Sequence, residues 1–128
     1  EGMIRFPIKR GRSGELVAMP VNSEEGKPAL TEFFIEQKFV NHTLLKLILH
    51  TGRTNQLRIH LAAFNHPIVG DDVYMTNKIK KVEKIKMNRV FLHATKLEFV
   101  DPTGKQIIVD SRLPEELAVV LKQMRTKS

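Results

Sequence analysis

An α+β fold is expected from this sequence, with a mixed, largely antiparallel sheet of about five strands and two or three helices. Three observations lead there. Two apolar-alternating runs, residues 29–40 and 43–50, are separated only by the turn-like pair Asn41-His42, the pattern of a β-hairpin. A second pair of apolar runs flanks Asp101-Pro102-Thr103-Gly104, the composition of a type I or II turn. Helical spacing is confined to short stretches, Leu57, Leu61 and Phe64 first, then Ile79, Val82 and Ile85, then Leu117, Val120, Leu121 and Met124. At 128 residues, with 41% hydrophobic and 27% charged positions, the chain has the size and balance of one globular domain.

From the N-terminus, Met3, Ile4, Phe6 and Ile8 form a short apolar piece, and Lys9, Arg10, Gly11 and Arg12 form a basic turn. Residues 15–21 are a strand expected to be buried, because Leu16, Val17, Ala18 and Met19 put apolar groups on both faces. A loop at 22–28 leads into the hairpin. Its first strand sets Phe33, Ile35 and Phe39 against Glu32, Glu36 and Lys38, and its second sets Leu45, Leu47 and Leu49 against Lys46 and His50. One well-buried face is expected. Residues 75–90 are read as a basic amphipathic helix or loop, with Ile79, Val82 and Ile85 at helical spacing and Asn77 as cap. Strands at 91–100 and 106–110 flank the Asp101 turn. Pro114 in the first helical position, with Glu115 and Glu116 after it, opens a terminal helix whose end is served by Lys122, Arg125 and Lys127.

Charge narrows the function. Lys plus Arg number 21 against 14 Asp plus Glu, a formal net charge of +7, which favours an anionic partner. The six basic residues Lys78, Lys80, Lys81, Lys84, Lys86 and Arg89 face a single Glu83 in one segment. They form either a solvated face or a surface that follows phosphates. Nucleic acid is preferred over membrane, since no long apolar run exists and Trp is absent. The absence of cysteine rules out a disulfide framework or a Cys-based zinc site and is compatible with the cytoplasm. His60, His66 and Asp71 match no metal-ligand spacing, so no metal is expected. Neither a Gly-x-Ser-x-Gly element nor a P-loop is present. The chain starts Glu1-Gly2, which reads as an excised or processed boundary.

The most informative stretch is residues 49–74, LHTGRTNQLRIHLAAFNHPIVGDDVY. A strand runs into the polar turn Thr51, Gly52, Arg53, Thr54, and then into a short helix for which Thr54 is the expected N-cap. Strand, basic turn and helix start bring free amides and guanidinium groups to one sheet edge, an arrangement suited to phosphate or carboxylate. Arg58 falls just off the apolar stripe, between core and cleft. Read from spacing alone, Arg53 and Arg58 are equally well explained as solvated residues at a helix start.

This stretch closely resembles the signature of the RluA-like family of RNA pseudouridine synthases. The match runs through Thr51, Gly52, Arg53, Thr54, Gln56, Leu57, Arg58 and His60, and resumes at His66, Pro67, Ile68, Gly70, Asp71 and Tyr74. Leu92, His93 and Ala94, then Leu97, Phe99, Pro102, Gly104, Leu113 and Pro114, fit the family's later pattern. The departure is Asn55, where the family usually has histidine; asparagine keeps a hydrogen-bonding side chain but does not titrate near neutral pH.

The resemblance implies isomerisation of uridine to pseudouridine in ribosomal or transfer RNA, on a nucleotide flipped from its stack, without metal or organic cofactor. It implies an essential aspartate in a His-Arg-Leu-Asp-type motif and a tyrosine that stacks on the base. It makes Arg58 the arginine that keeps that aspartate ionised and in place, with Asp71 structural after Gly70. This sequence contains no such motif, and its single tyrosine, Tyr74, matches a different place. Residues 1–128 are therefore expected to be the C-terminal portion of a catalytic domain, monomeric, cytoplasmic and inactive alone. Arg53, Thr54, Asn55, Gln56, Lys78, Lys80 and Lys81 are the expected RNA-binding residues. The alternative is a non-catalytic RNA-binding module that keeps the basic cleft.

Overall fold

The computed structural model describes residues 1–124. Seven strands and three helices follow in the order β1 (Gly2–Ile4), β2 (Ile8–Arg10), β3 (Leu16–Ala18), β4 (Thr31–Lys38), β5 (Thr43–Leu49), α1 (Gln56–Ala63), α2 (Asn77–Val82), β6 (Lys96–Val100), β7 (Gln106–Asp110) and α3 (Glu115–Gln123). The fold is α+β. Its strands form three separate antiparallel sheets rather than one mixed sheet: β1-β4-β5, β2-β3 and β6-β7.

The expected hairpin is β4–β5, in register from Thr31 opposite Leu49 to Lys38 opposite Thr43, with an irregularity between Ile35 and Gln37. Its apolar face is covered unevenly, with Phe39 just beyond β4 buried at 6% exposure. Thr31 is fully buried, whereas Ile35 is 45% exposed. Helix α1 lies across the Thr31 end. It packs Leu61 with Ile4 and Ile68, alongside Phe33, Leu45, Leu47, Phe91 and Leu92. Ile59, on its next face, meets Ile8 and Ala29 together with Leu16, Ala18 and Tyr74.

Several boundaries move for identifiable reasons. The strand expected at 15–21 is only Leu16–Ala18, half-buried, with Val21 exposed. The position before α1 is Asn55, not Thr54. It adopts a left-handed φ of 54° and makes no side-chain capping bond, a conformation that asparagine tolerates better than most residues. The buried positions of α1 are Gln56, Ile59, His60 and Leu61. The apolar stripe Leu57, Leu61, Phe64 misplaces that face, since Phe64 is exposed and two polar residues point inward. Thr76, not Asn77, caps α2, its Oγ1 accepting from the Ile79 amide at 3.3 Å. That helix stops at Val82, where Glu83 turns extended. Residues 90–95 are not strand; the Phe91 amide donates to the Val69 carbonyl at 2.8 Å and carries Phe91 and Leu92 into the core. Pro114 precedes the first helical residue of α3, and Arg125 and Lys127 lie outside the described residues.

Gly70 has φ +84°, and a Cβ there would lie 2.0 Å from the Arg89 carbonyl oxygen, so the 89–92 segment crosses directly over this glycine. In β6–β7, Leu97 faces Val109 and Phe99 faces Ile107, while Leu97, Phe99 and Val109 remain exposed. No helix is long and apolar enough to cross a membrane among the described residues.

Candidate functional site

The segment from Thr51 to Tyr74 divides into residues that point inward and residues that point out. The inward set builds a continuous hydrogen-bonded chain. The Leu30 amide donates to Thr51 Oγ1 at 2.9 Å, and that hydroxyl donates to Gln56 Oε1 at 2.7 Å. The same oxygen accepts from the Arg53 amide at 3.1 Å. Gln56 Nε2 donates to the Leu30 carbonyl and to Thr31 Oγ1, both at 3.0 Å. His60 then bridges Thr31, 2.9 Å from Nδ1, and the Phe6 carbonyl, 2.8 Å from Nε2. A carbonyl can only accept, so Nε2 carries the proton and Nδ1 accepts from the Thr31 hydroxyl. Burial holds the His60 pKa below its ordinary value, against the raising effect of the Phe6 carbonyl. His60 is thus a neutral, fully buried structural histidine.

Gln56 is 2% exposed and uses both ends of its amide internally. This corrects its expected place among RNA-contacting residues: nothing remains with which to meet a ligand. Its function is to tie the turn before α1 to the start of β4.

The outward set centres on Arg58. Its Nε donates to Asp71 Oδ2 at 3.0 Å and its Nη2 to Asp71 Oδ1 at 2.8 Å, a two-point ion pair. The Asp71 side chain is 0% exposed and that of Arg58 is 23% exposed. Asp71 Oδ1 also accepts from the amides of Val73 and Tyr74, both at 3.0 Å. Burial alone pushes the Asp71 carboxyl up. The hydrogen bonds from Arg58, Tyr74 and Val73 outweigh it, so the group ionises below the usual carboxylate range. The bond to Asp71 raises Arg58 in turn, against desolvation. The guanidinium lies over the Tyr74 ring, 5.1 Å from its centroid, a cation–π contact. Asn55 Nδ2 donates to the Tyr74 hydroxyl at 3.4 Å.

Arg58 therefore already has a carboxylate partner within this sequence. The expectation of a guanidinium waiting for an acidic group outside it is corrected to that extent. Asp71 is also more than a turn residue, while Asp72 beside it faces solvent.

The remaining expected contacts surround this cluster unevenly. Arg53 is half-buried and its Nε donates to the Pro28 carbonyl at 2.8 Å; Thr54 and Asn55 are exposed. Lys78 and Lys81 are exposed on α2, whereas Lys80 turns back and donates to the Asp72 carbonyl at 2.8 Å. An open hollow of about 150 Å³ lies here, with Gly70, Asp71, Lys80 and Lys86 in its wall. The lysine-rich segment is pinned at Glu83, whose carboxylate oxygens are 2.6 and 2.9 Å from His42 Nε2 in the β4–β5 turn. Arg89 is structural: it reaches Glu116 of α3 at 2.6 Å and the Leu92 carbonyl at 2.9 Å. A second hollow of about 430 Å³ lies between that turn, Lys84, Lys86 and α3, and Arg58 lines neither hollow. Among the described residues no group of three or more acidic or histidine side chains could hold a metal ion. Sequence reasoning missed the Asp71–Arg58 pair and the Thr31–His60 contact. The first had a signal, an acidic residue beside a glycine turn shortly after an off-stripe arginine. The second had none, because Thr31 looks like an ordinary strand residue.

A sequence model of the family described as RNA pseudouridylate synthase matches residues 1–63. A ribosomal large subunit pseudouridine synthase C of Haemophilus ducreyi is 36% identical over 129 residues, spanning 98% of this chain and 40% of that protein. A pseudouridine synthase C of Yersinia pestis is 38% identical, spanning 95% of this chain and 39% of its own length. A pseudouridine synthase D of Nitrosomonas europaea is 36% identical, spanning 94% and 34%. The chain thus spans about two fifths, or less, of these curated relatives. Two solved structures share the fold. Human RNA Pseudouridylate Synthase Domain Containing 1 gives a TM-score of 0.67 at 23% identity, over 99% of this chain and 61% of that one. Domain Containing 4 gives 0.71 at 21%, over 99% and 58%. On these similarities, together with the Thr51–Tyr74 signature, the chain belongs to the RluA-like family of RNA pseudouridine synthases.

Proposed function

We propose that this chain is the C-terminal portion of the catalytic domain of a cytoplasmic pseudouridine synthase acting on ribosomal or transfer RNA. In this reading it supplies Arg58, and residues outside this sequence supply the nucleophilic aspartate. The observation that carries it is the setting of Arg58. Asp71 takes one edge of the guanidinium and Tyr74 one face, while the side chain keeps 23% exposure. Arginine has five N–H donors, of which Asp71 uses two. The outer edge is left for a second oxyanion, and a fork of that kind holds a carboxylate in one plane. The net charge of +7 supports an RNA partner. Uridine isomerisation needs an ionised carboxylate at the base and a way to hold the splayed nucleotide; Arg58 serves the first, and Lys78, Lys81 and the Thr54–Asn55 turn serve the second.

The pairing of Arg58 with Asp71 also favours a second reading, a non-catalytic RNA-binding module, because the guanidinium needs no further carboxylate to be neutralised. Tritium release from RNA carrying 5-tritiated uridine separates the two. The full-length protein should release tritium and the 128-residue chain alone should not, while still binding RNA weakly. RNA binding by the full-length protein without release would decide for the module.

A further inference from the structure

The Arg58 guanidinium is held on one edge and one face by this chain. Nε and Nη2 meet the two oxygens of Asp71 at 3.0 and 2.8 Å. Tyr74 covers one face at 5.1 Å, and Asn55 reaches the Tyr74 hydroxyl at 3.4 Å. Asp71 is itself fixed by two backbone amides three and two residues on, so neither the anchor nor the ring turns freely. The opposite edge, formed by Nη1 and the second Nη2 proton, meets no acceptor among the described residues. We propose that Asp71 and Tyr74 are positioning residues, which lock Arg58 so that this outer edge is offered as a ready fork to one carboxylate. The proposal rests on the pseudouridine synthase reading, in which that carboxylate belongs to the nucleophile.

Asp71 is ionised and in contact, so the pair is close to neutral, and Arg58 attracts a polyanion weakly. Its contribution is orientation, which acts on turnover, rather than attraction, which acts on affinity. Asp71→Asn is the discriminating change. The asparagine Oδ1 still accepts from Val73 and Tyr74, so the turn survives, but its amide nitrogen opposes Arg58 with a donor.

In the full-length protein, Asp71→Asn should lower kcat by about 100-fold, with KM for RNA unchanged or lower because a cation is unmasked. Tyr74→Leu should lower kcat by roughly 10-fold at constant KM, and Tyr74→Phe, which keeps the ring, should restore most of that loss. The ¹⁵N-resolved Nε–H resonance of Arg58 should be slow to exchange in the wild type and lost in Asp71→Asn. A rise in KM parallel to the fall in kcat, or an unchanged kcat, overturns the proposal. The resonance does not depend on activity. If the wild-type enzyme forms no pseudouridine, the functional reading fails, and persistence of that resonance in Asp71→Asn then separately overturns the positioning role.

Discussion

Thr31, the first residue of β4, donates its hydroxyl proton to Nδ1 of His60 on α1 across 2.9 Å in the fully buried interior. This contact joins sheet and helix at the end of the hairpin that α1 covers. It also makes His60 a neutral group whose protonation the fold resists.

Acid stability should therefore fall in two stages. The His60 pKa lies below its ordinary 6.5 in the folded state. Between 6.5 and that lower value the unfolded chain binds the extra proton, so stability is complete above 6.5 and is lost as pH falls through the folded pKa. Asp71 is likewise lowered from 3.8, so its contribution is present above 3.8 and is lost only further into acid. Thermal melts from pH 8 to pH 3 should show a first decline beginning near 6.5, and His60→Gln should remove that first stage. A flat profile down to pH 4 would contradict the assignment.

Gln56→Ala should destabilise the chain by about 3 kcal/mol, because four internal partners lose their bond and all four are buried or half-buried backbone and hydroxyl groups. Urea denaturation checks it. RNA affinity of the folded fraction should be unchanged, which distinguishes a structural glutamine from a contact residue.

Gly70→Ala should be severe. The added Cβ meets the Arg89 carbonyl oxygen at 2.0 Å, on a backbone with φ +84° that side chains rarely adopt. A loss of roughly 3 kcal/mol or more is expected from the two effects. Because Gly70 adjoins Asp71, the same denaturation series should show the Arg58 pair disturbed with it.

The division between these residues is only partly legible in the sequence. The β4–β5 hairpin, the β6–β7 hairpin and the acidic start of α3 follow from local alternation and turn chemistry, although β6 begins only at Lys96 and not at Phe91. The inward face of α1 is not legible from hydrophobicity. Gln56 and His60 are polar, and they are buried because Thr31, Leu30 and Phe6, distant in sequence, supply their partners. The end of α2 at Val82 depends on Glu83 reaching His42, forty-one residues away. Arg58 is identified by its place in the signature, but its pairing with Asp71 depends on the Gly70 turn folding back, which no periodicity records.

Replacing Lys78 and Lys81 together by alanine should weaken RNA binding and lower the salt dependence by about 2 in slope if each meets one phosphate. Both are exposed and carry no internal role comparable to the bond from Lys80 to the Asp72 carbonyl. Filter binding across a salt titration measures both quantities. An unchanged slope would place the RNA path elsewhere.

The most direct test is Arg58→Ala in the full-length protein, assayed by tritium release alongside RNA binding. Turnover should fall by about 1,000-fold or more, the scale of losing one oriented electrostatic contact at a reacting centre, while the RNA Kd changes by no more than a few-fold. Turnover within a few-fold of the wild type would contradict the place given to Arg58.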